Sequence, residues 1–237
     1  MELQTPNTQL QTLQTKLTNK TVVESLHLLA EECKGKVAFS TSLGQEDQII
    51  TDLIFRNNID IQVFTLDTGR LFNQTYELLD LTIAKYQKAI KIYFPQSAEV
   101  EHFVNEKGLN SFYESVANRK ECCAIRKVNP LKRALKDIEV WITGLRAEQS
   151  ANRQEMKIVE WDNNFKLIKY NPLIDWSLAQ TISYLKENKV PYNSLHEQGF
   201  VSIGCAPCTR AIAVGEDMRA GRWWWESSQK ECGLHAK

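Results

Sequence analysis

Four short apolar runs, each closed by a polar turn or a proline, constrain this chain more than any other feature. Lys36–Ser42 ends in Leu43-Gly44-Gln45-Glu46-Asp47, after which Ile49, Ile50, Leu53 and Ile54 recur at helical spacing. Ile61–Leu66 ends in Asp67-Thr68-Gly69-Arg70 and leads into a predicted helix from about Phe72 to Tyr86. Ile90–Phe94 is closed by Pro95, and Val140–Thr143 runs into Gly144-Leu145-Arg146. Short apolar stretches of this kind read as buried strands. Their alternation with helices implies right-handed βαβ units, and so an α/β fold with a mostly parallel sheet flanked by helices. Ligands of such sheets sit beyond the carboxyl ends of the strands. The turns at Ser42–Asp47, Asp67–Arg70 and Gly144–Arg153 are therefore expected to converge on one site.

The remaining segments fit around that sheet. Leu10, Leu13 and Leu17 recur at helical spacing in a Gln- and Thr-rich start, which predicts a short amphipathic helix docked on the body. A helix follows over Val22–Glu32, and others are expected around Glu99–Glu106 and Cys123–Leu135. Ile158–Trp161 and Phe165–Lys169 flank the turn signal Asp162-Asn163-Asn164, which predicts a hairpin. Ser177 is placed to cap a helix running to Glu187. Without a repeat or clear linker, the reading is one domain over 1–237: a peripheral segment 1–20, an α/β core 36–204, and 205–237, a metal clip followed by a reactive C-terminal tail expected to be mobile.

Composition narrows the function. Basic and acidic residues balance at 29 each, which argues against a general nucleic-acid binder. No apolar run is long enough to span a bilayer, and the first residues lack a signal-peptide pattern, so the expected location is the cytoplasm. In a reducing compartment the six cysteines read as metal ligands or catalytic groups rather than a disulfide framework.

Among the turns, Ser40-Thr41-Ser42-Leu43-Gly44-Gln45-Glu46-Asp47 joins a strand to a helix. Its backbone N–H groups, hydroxyls and helix end suit an anion, although it lacks the lysine of a Walker loop. Asp67-Thr68-Gly69-Arg70 can serve ribose or adenine. Cys122 and Cys123 are adjacent, while Cys205 and Cys208 form a CxxC. Neighbouring cysteines, with Cα atoms about 3.8 Å apart, make a strained disulfide, so four thiolates point to a metal. Adjacent cysteines fit one tetrahedral ion awkwardly but can each take one iron of a cubane, which favours an iron–sulfur cluster over zinc. Arg126 and Lys127 follow the pair and can offset cluster charge or reach an anionic substrate. Cys33 stands alone and reads as structural. Cys232, with Arg219, Arg222 and His235 near it in sequence, is a candidate reactive thiolate on a glycine-bearing tail.

Taken together, these residues resemble the assimilatory phosphosulfate reductases, and among them the iron–sulfur-containing adenylyl-sulfate (APS) reductases of bacteria. The resemblance runs from about Lys36 to His235. Its most specific parts are Cys122-Cys123, Cys205-Ala206-Pro207-Cys208, the Arg219–Trp225 run and Glu231-Cys232-Gly233-Leu234-His235. Ser40–Asp47, Leu66–Arg70 and Trp141–Arg146 running on to Arg153 support it. The implied fold is the adenine nucleotide α-hydrolase-like sheet, a relative of the PP-loop enzymes. By resemblance, Cys122, Cys123, Cys205 and Cys208 would hold a [4Fe–4S] cluster, and Lys127 would lie between cluster and substrate. Ser40, Thr41, Ser42, Gly44, Glu46, Asp47, Leu66, Asp67, Thr68, Gly69, Arg70, Gly144, Arg146 and Arg153 would enclose the nucleotide. Arg219, Arg222 and His235 would meet the phosphosulfate, and Cys232 would be the nucleophile. The reductant would be a separate thioredoxin or glutaredoxin-like protein, since no thioredoxin-like extension follows Lys237. Neither a nucleic-acid nor a membrane partner is expected; a homo-oligomer is left open.

Three rival readings are weighed. A reductase preferring 3′-phosphoadenylyl sulfate is the nearest, and the two cysteine pairs tell against it because cluster-free relatives of that specificity lack them. A PP-loop thiolation enzyme would carry Ser-Gly-Gly-x-Asp-Ser after the first strand, which this chain does not. A cluster-based redox sensor would need a recognition helix or basic domain, and neither is visible.

Overall fold

The computed structural model describes residues 6–150 and 153–226. Six strands form one sheet in the order β3-β2-β1-β4-β6-β5. They are β1 (Val37–Thr41), β2 (Gln62–Leu66), β3 (Lys91–Tyr93), β4 (Val140–Ile142), β5 (Val159–Asp162) and β6 (Leu167–Tyr170). All neighbours pair in parallel except β5, which runs antiparallel to β6 at the edge. The expected hairpin is thus present, its turn held by Asp162 Oδ1, which accepts from Asn164 N at 2.9 Å and Phe165 N at 3.0 Å.

Both faces of the sheet are covered, as a parallel sheet requires. In β1, Val37 and Phe39 join one apolar cluster while Ala38 joins the other; in β4, Val140 and Ile142 oppose Trp141 in the same way. That alternation is the period-two geometry of a strand buried on both sides. One layer contains α1 (Pro6–Leu17), α2 (Val22–Glu32), α3 (Gln45–Arg56) and α8 (Leu178–Glu187), with α4 (Asn73–Tyr86) beside them. Buried Asp52 on α3 ties three of these together, accepting from Tyr86 OH at 2.5 Å, Tyr184 OH at 2.7 Å and Arg56 Nη2 at 2.8 Å. α1 covers the sheet edge: Leu13 and Leu17 are buried, and Gln14 Nε2 donates to the Val159 carbonyl at 3.0 Å.

On the opposite face lie α5 (Ser97–Lys107), α6 (Val116–Cys123) and α7 (Asn129–Ala134), with α7 packed over β2 and β3. Here the sequence expectation of one helix over Cys123–Leu135 is corrected. The helix begins earlier, at Val116, and is interrupted by a π turn at Ala124–Val128. Pro130 cannot donate to the carbonyl four residues back and its ring crowds that carbonyl, so a widened turn relieves both problems.

Helix α1 contributes no residue to the lining of either cavity described below. Leu13→Ala is expected to lower stability by about 2–4 kcal/mol in urea unfolding, with steady-state activity of the folded fraction unchanged.

Candidate active site: two cavities that share one lysine

The strand order reverses between β1 and β4, and a cavity of about 250 Å³ opens at their carboxyl ends. The turn after β1 forms its floor. Leu43 takes φ +61, a left-handed conformation unusual for a branched side chain, and its side chain is fully sunk into the core. The turn is tightened by Thr41 Oγ1 accepting from Leu43 N at 3.0 Å, and by Asp47 Oδ2 accepting from Ser42 N and Ser42 Oγ, each at 2.6 Å. Asp47 lies so near β4 that a Cβ on Gly144 would come within 1.9 Å of its Oδ1. Only glycine lets these two turns meet. Burial pushes the Asp47 carboxyl up to about 6, against the hydrogen bonds from Ser42 that pull it down.

Of the residues assigned to the nucleotide by resemblance, Ser40, Thr41, Ser42, Gly44, Glu46, Asp47, Leu66, Thr68, Gly144, Arg146 and Arg153 line this cavity. Arg146 is held by two carboxylates and a carbonyl: its Nε donates to Glu46 Oε1 at 2.7 Å and its Nη1 to Glu148 Oε2 at 2.8 Å and the Trp176 carbonyl at 3.3 Å. Arg153 donates to Gln149 Oε1, and its charge acts on Asp47. Asp67, Gly69 and Arg70 are not on the lining. Asp67 Oδ1 instead accepts from Gly69 N at 2.7 Å and Tyr76 OH at 2.9 Å, which builds the turn. Arg70 reaches away, donating to the Leu109 carbonyl at 2.6 Å and stacking 5.1 Å above the Phe112 ring.

Arg219, Arg222 and Lys127 complete the cavity wall. Arg222 is buried, and a Cβ on Gly204 would lie 2.3 Å from its Nη2, so that glycine lets the guanidinium lie flat. Its Nε is buried without a partner among the described residues. The arginine is fixed from behind by an antiparallel bridge to Thr209 and by Trp223 N donating to the Cys208 carbonyl at 3.2 Å.

Cys122, Cys123, Cys205 and Cys208 line a second, smaller cavity with Arg70, Arg119, Arg126 and Lys127. All four are free thiols. Among the described residues no group of three or more His, Cys, Asp or Glu is arranged to hold a single ion. Burial pushes Cys205 up, but Lys127, a Thr68 hydroxyl 3.3 Å from its sulfur, Arg222 and Arg126 outweigh it and hold the thiol below its ordinary range. Burial and the neighbouring Cys205 push Cys208 up to about 12, and burial raises Cys122. Lys127, carried by the π turn, is the one residue lining both cavities among those described.

Cys232 and His235 lie outside the described residues. The base of their segment is well fixed. Glu226 receives both Arg119 Nε at 2.9 Å and Arg119 Nη2 at 2.8 Å from α6, and Arg119 and Arg222 sit 4.7 and 4.9 Å from the ring of buried Trp223. Trp141, whose Nε1 donates to Ser40 Oγ at 2.8 Å, and Leu131, Gln149 and His196 also line the cavity, and the sequence analysis singled out none of them as a site residue. The first two look like core residues by periodicity. Gln149 was within reach, because the turn from Gly144 to Arg153 already contains it.

The phosphoadenosine phosphosulfate reductase domain model matches residues 36–211, most of the chain. The chain belongs to the phosphoadenosine phosphosulfate reductase family. Within it, the chain is 49% identical over 216 residues to the adenosine 5′-phosphosulfate reductase of Allochromatium vinosum, covering 90% of this chain and 84% of that one. The phosphoadenylyl-sulfate reductase of Candida auris, solved as a phosphate complex, superposes with a TM-score of 0.72 at 29% identity, covering 90% of this chain and 99% of that one. Yeast FAD synthetase in complex with FAD shares the fold alone, with a TM-score of 0.56 at 15% identity over 89% of this chain and 70% of that one. The sheet is thus the adenine nucleotide α-hydrolase-like one. Among the described residues no helix is long and apolar enough to cross a membrane.

The buried Asp47 carboxyl gives a pH signature. Its ordinary value is 3.8, so between about pH 4 and 6 the unfolded chain has released a proton that the folded chain keeps. Asp47 therefore makes stability fall as pH rises through that window, by about 3 kcal/mol in all. Urea unfolding of Asp47→Asn against the parent at pH 4, 5, 6 and 7 should show a relative gain that grows with pH and levels off above 6.

Proposed function

We propose that this protein reduces adenylyl sulfate to sulfite and AMP in sulfate assimilation, with two electrons from a thioredoxin or glutaredoxin-like dithiol. The observation that carries the proposal is Lys127, which borders both the nucleotide-sized cavity and the four-thiol cavity. Relatives of about half identity are adenosine 5′-phosphosulfate reductases, which favours the substrate without a 3′-phosphate over the phosphorylated one.

Ser40–Asp47 and Gly144–Arg153 enclose the nucleotide, and Lys127, Arg219 and Arg222 take the phosphosulfate. Cys232 follows Glu226 by six residues, a stretch that spans at most about 20 Å, so its thiolate can reach that end of the cavity. The Cys232 sulfur attacks the sulfate sulfur; the bond from that sulfur to the bridging oxygen breaks, and AMP leaves with the electron pair. The enzyme then carries an S-sulfocysteine. Charge grows on the departing phosphate, where ammonium and guanidinium groups stabilise it, and His235 adds a further donor from the tail. A thiolate of the reductant attacks Cys232 Sγ, expelling sulfite with its electron pair and leaving a mixed disulfide. The second reductant thiol closes its own disulfide and frees Cys232. One dithiol is oxidised as sulfur(VI) becomes sulfur(IV), so electrons balance.

The four cysteines line one small cavity with Arg70, Arg119, Arg126 and Lys127, whose charges would offset thiolate ligation, and that donor set is the one a [4Fe–4S] cluster takes. Bound there, the cluster would supply an electrostatic and structural centre beside the phosphosulfate site.

Anaerobically purified protein should be brown, with four irons per chain and broad visible absorbance. Cys232→Ser should keep that spectrum and bind AMP as the parent does, yet release no sulfite from adenylyl sulfate and reduced thioredoxin. Sulfite release by this variant would remove Cys232 from the mechanism, and colourless parent protein holding zinc would remove the cluster.

A further inference from the structure

Leu109, Tyr113 and Trp224 are large apolar side chains with 59%, 41% and 39% of their surface open. Their backbone is well held. Tyr113 ends a short helical turn over Ser111–Tyr113, in which Ser111 and Phe112 are buried, and its OH donates to the Pro207 carbonyl at 2.6 Å. Its ring lies 6.3 Å from that of Trp224 and edge-on to that of Trp225 at 4.5 Å, and the two tryptophan rings stand 4.9 Å apart. Leu109 is joined to this group through Arg70, which grips its carbonyl and stacks over Phe112, the ring 4.5 Å from Tyr113. Behind Trp225, Glu226 is locked to Arg119.

Exposed apolar side chains scattered singly need no explanation, but a cluster on a pinned backbone marks an interaction surface. Aromatic side chains already ordered by their neighbours lose little freedom when a partner covers them, and tyrosine and tryptophan are common interface anchors. At these exposures the three leave on the order of 300 Å² open. A stable dimer of this chain would need about 800 Å² from each copy, whereas brief redox encounters between proteins sit at the low end of interface size. Position selects the occupant. Cys232 follows Glu226 by six residues, at most about 20 Å of chain. A protein joined to Cys232 Sγ in the mixed disulfide is therefore tethered within that distance of the residue next to the two tryptophans. None of the three side chains is charged, so the surface that meets them is uncharged and apolar as well.

We propose that Leu109, Tyr113 and Trp224 form the docking surface for the protein dithiol that releases sulfite, which meets them with an apolar surface around its reactive thiol. The proposal rests on the S-sulfocysteine reading of Cys232. Anaerobic holoenzyme, as parent, Trp224→Ala and Leu109→Glu, is given adenylyl sulfate alone, and S-sulfocysteine formed in a single turnover is followed by mass spectrometry. Sulfite release is then timed against increasing reduced thioredoxin, and separately against dithiothreitol. The thioredoxin concentration giving half the maximal rate should rise about tenfold in the variants, the effect of truncating an interface anchor. S-sulfocysteine formation and release by dithiothreitol, which is too small to need a docking surface, should match the parent. A rise with thioredoxin alone in either variant bears the proposal out. A half-maximal thioredoxin concentration within about twofold of the parent in both variants overturns it. So does an equal loss with both reductants or slower S-sulfocysteine formation, because the surface would then serve the chain's own tail or the fold. A parent that forms no S-sulfocysteine overturns the Cys232 reading, and this proposal with it.

Discussion

The arrangement depends on where one ammonium group is held. Lys127 belongs to the widened turn between α6 and α7, one turn beyond the adjacent pair Cys122-Cys123, and it borders both the thiol cavity and the nucleotide cavity. A regular helix would place the residues after Cys123 at a different angle, and Pro130 is the local reason that it is not regular. Electrostatics then follow from geometry. Lys127 acts on Cys205 and Cys208 on one side and lines the larger cavity on the other, in an enclosed space where charge interactions are worth more than in water.

Two close approaches secured by glycine make the rest of the site. Gly144 lets the β4 turn press onto Asp47, which in turn organises the Ser42 loop; Gly204 lets Arg222 lie flat beside the CxxC segment. The Cys205–Cys208 turn, Arg222 and Trp223 are joined by backbone bonds, and Arg119 on the Cys122-Cys123 helix grips Glu226 at the foot of the tail. The segment bearing Cys232 thus starts from a point fixed to both cysteine pairs.

Much of this was legible in the sequence, and for identifiable reasons. Strands and turns follow from apolar periodicity and glycine, so β1, β2, β4 and the β5–β6 hairpin fall where the pattern puts them. The four thiols of the two pairs line one small cavity. What the sequence hides is direction. The Asp67–Arg70 turn has the composition of a ligand loop, yet Asp67 and Gly69 spend their groups on the turn, and Arg70 points to Leu109 and Phe112. The π turn is a backbone response to one proline that periodicity cannot register. His196 carries no motif, and only its place on the cavity wall singles it out.

The central claim, that one lysine couples the thiol centre to phosphosulfate chemistry, is tested most directly by Lys127→Ala. Sulfite release from adenylyl sulfate, iron per chain and AMP binding are measured on the same anaerobic preparation. The account predicts a fall in kcat/KM of about a hundredfold or more, with iron content and AMP binding close to those of the parent. A variant with full iron and a rate within about threefold of the parent would contradict it.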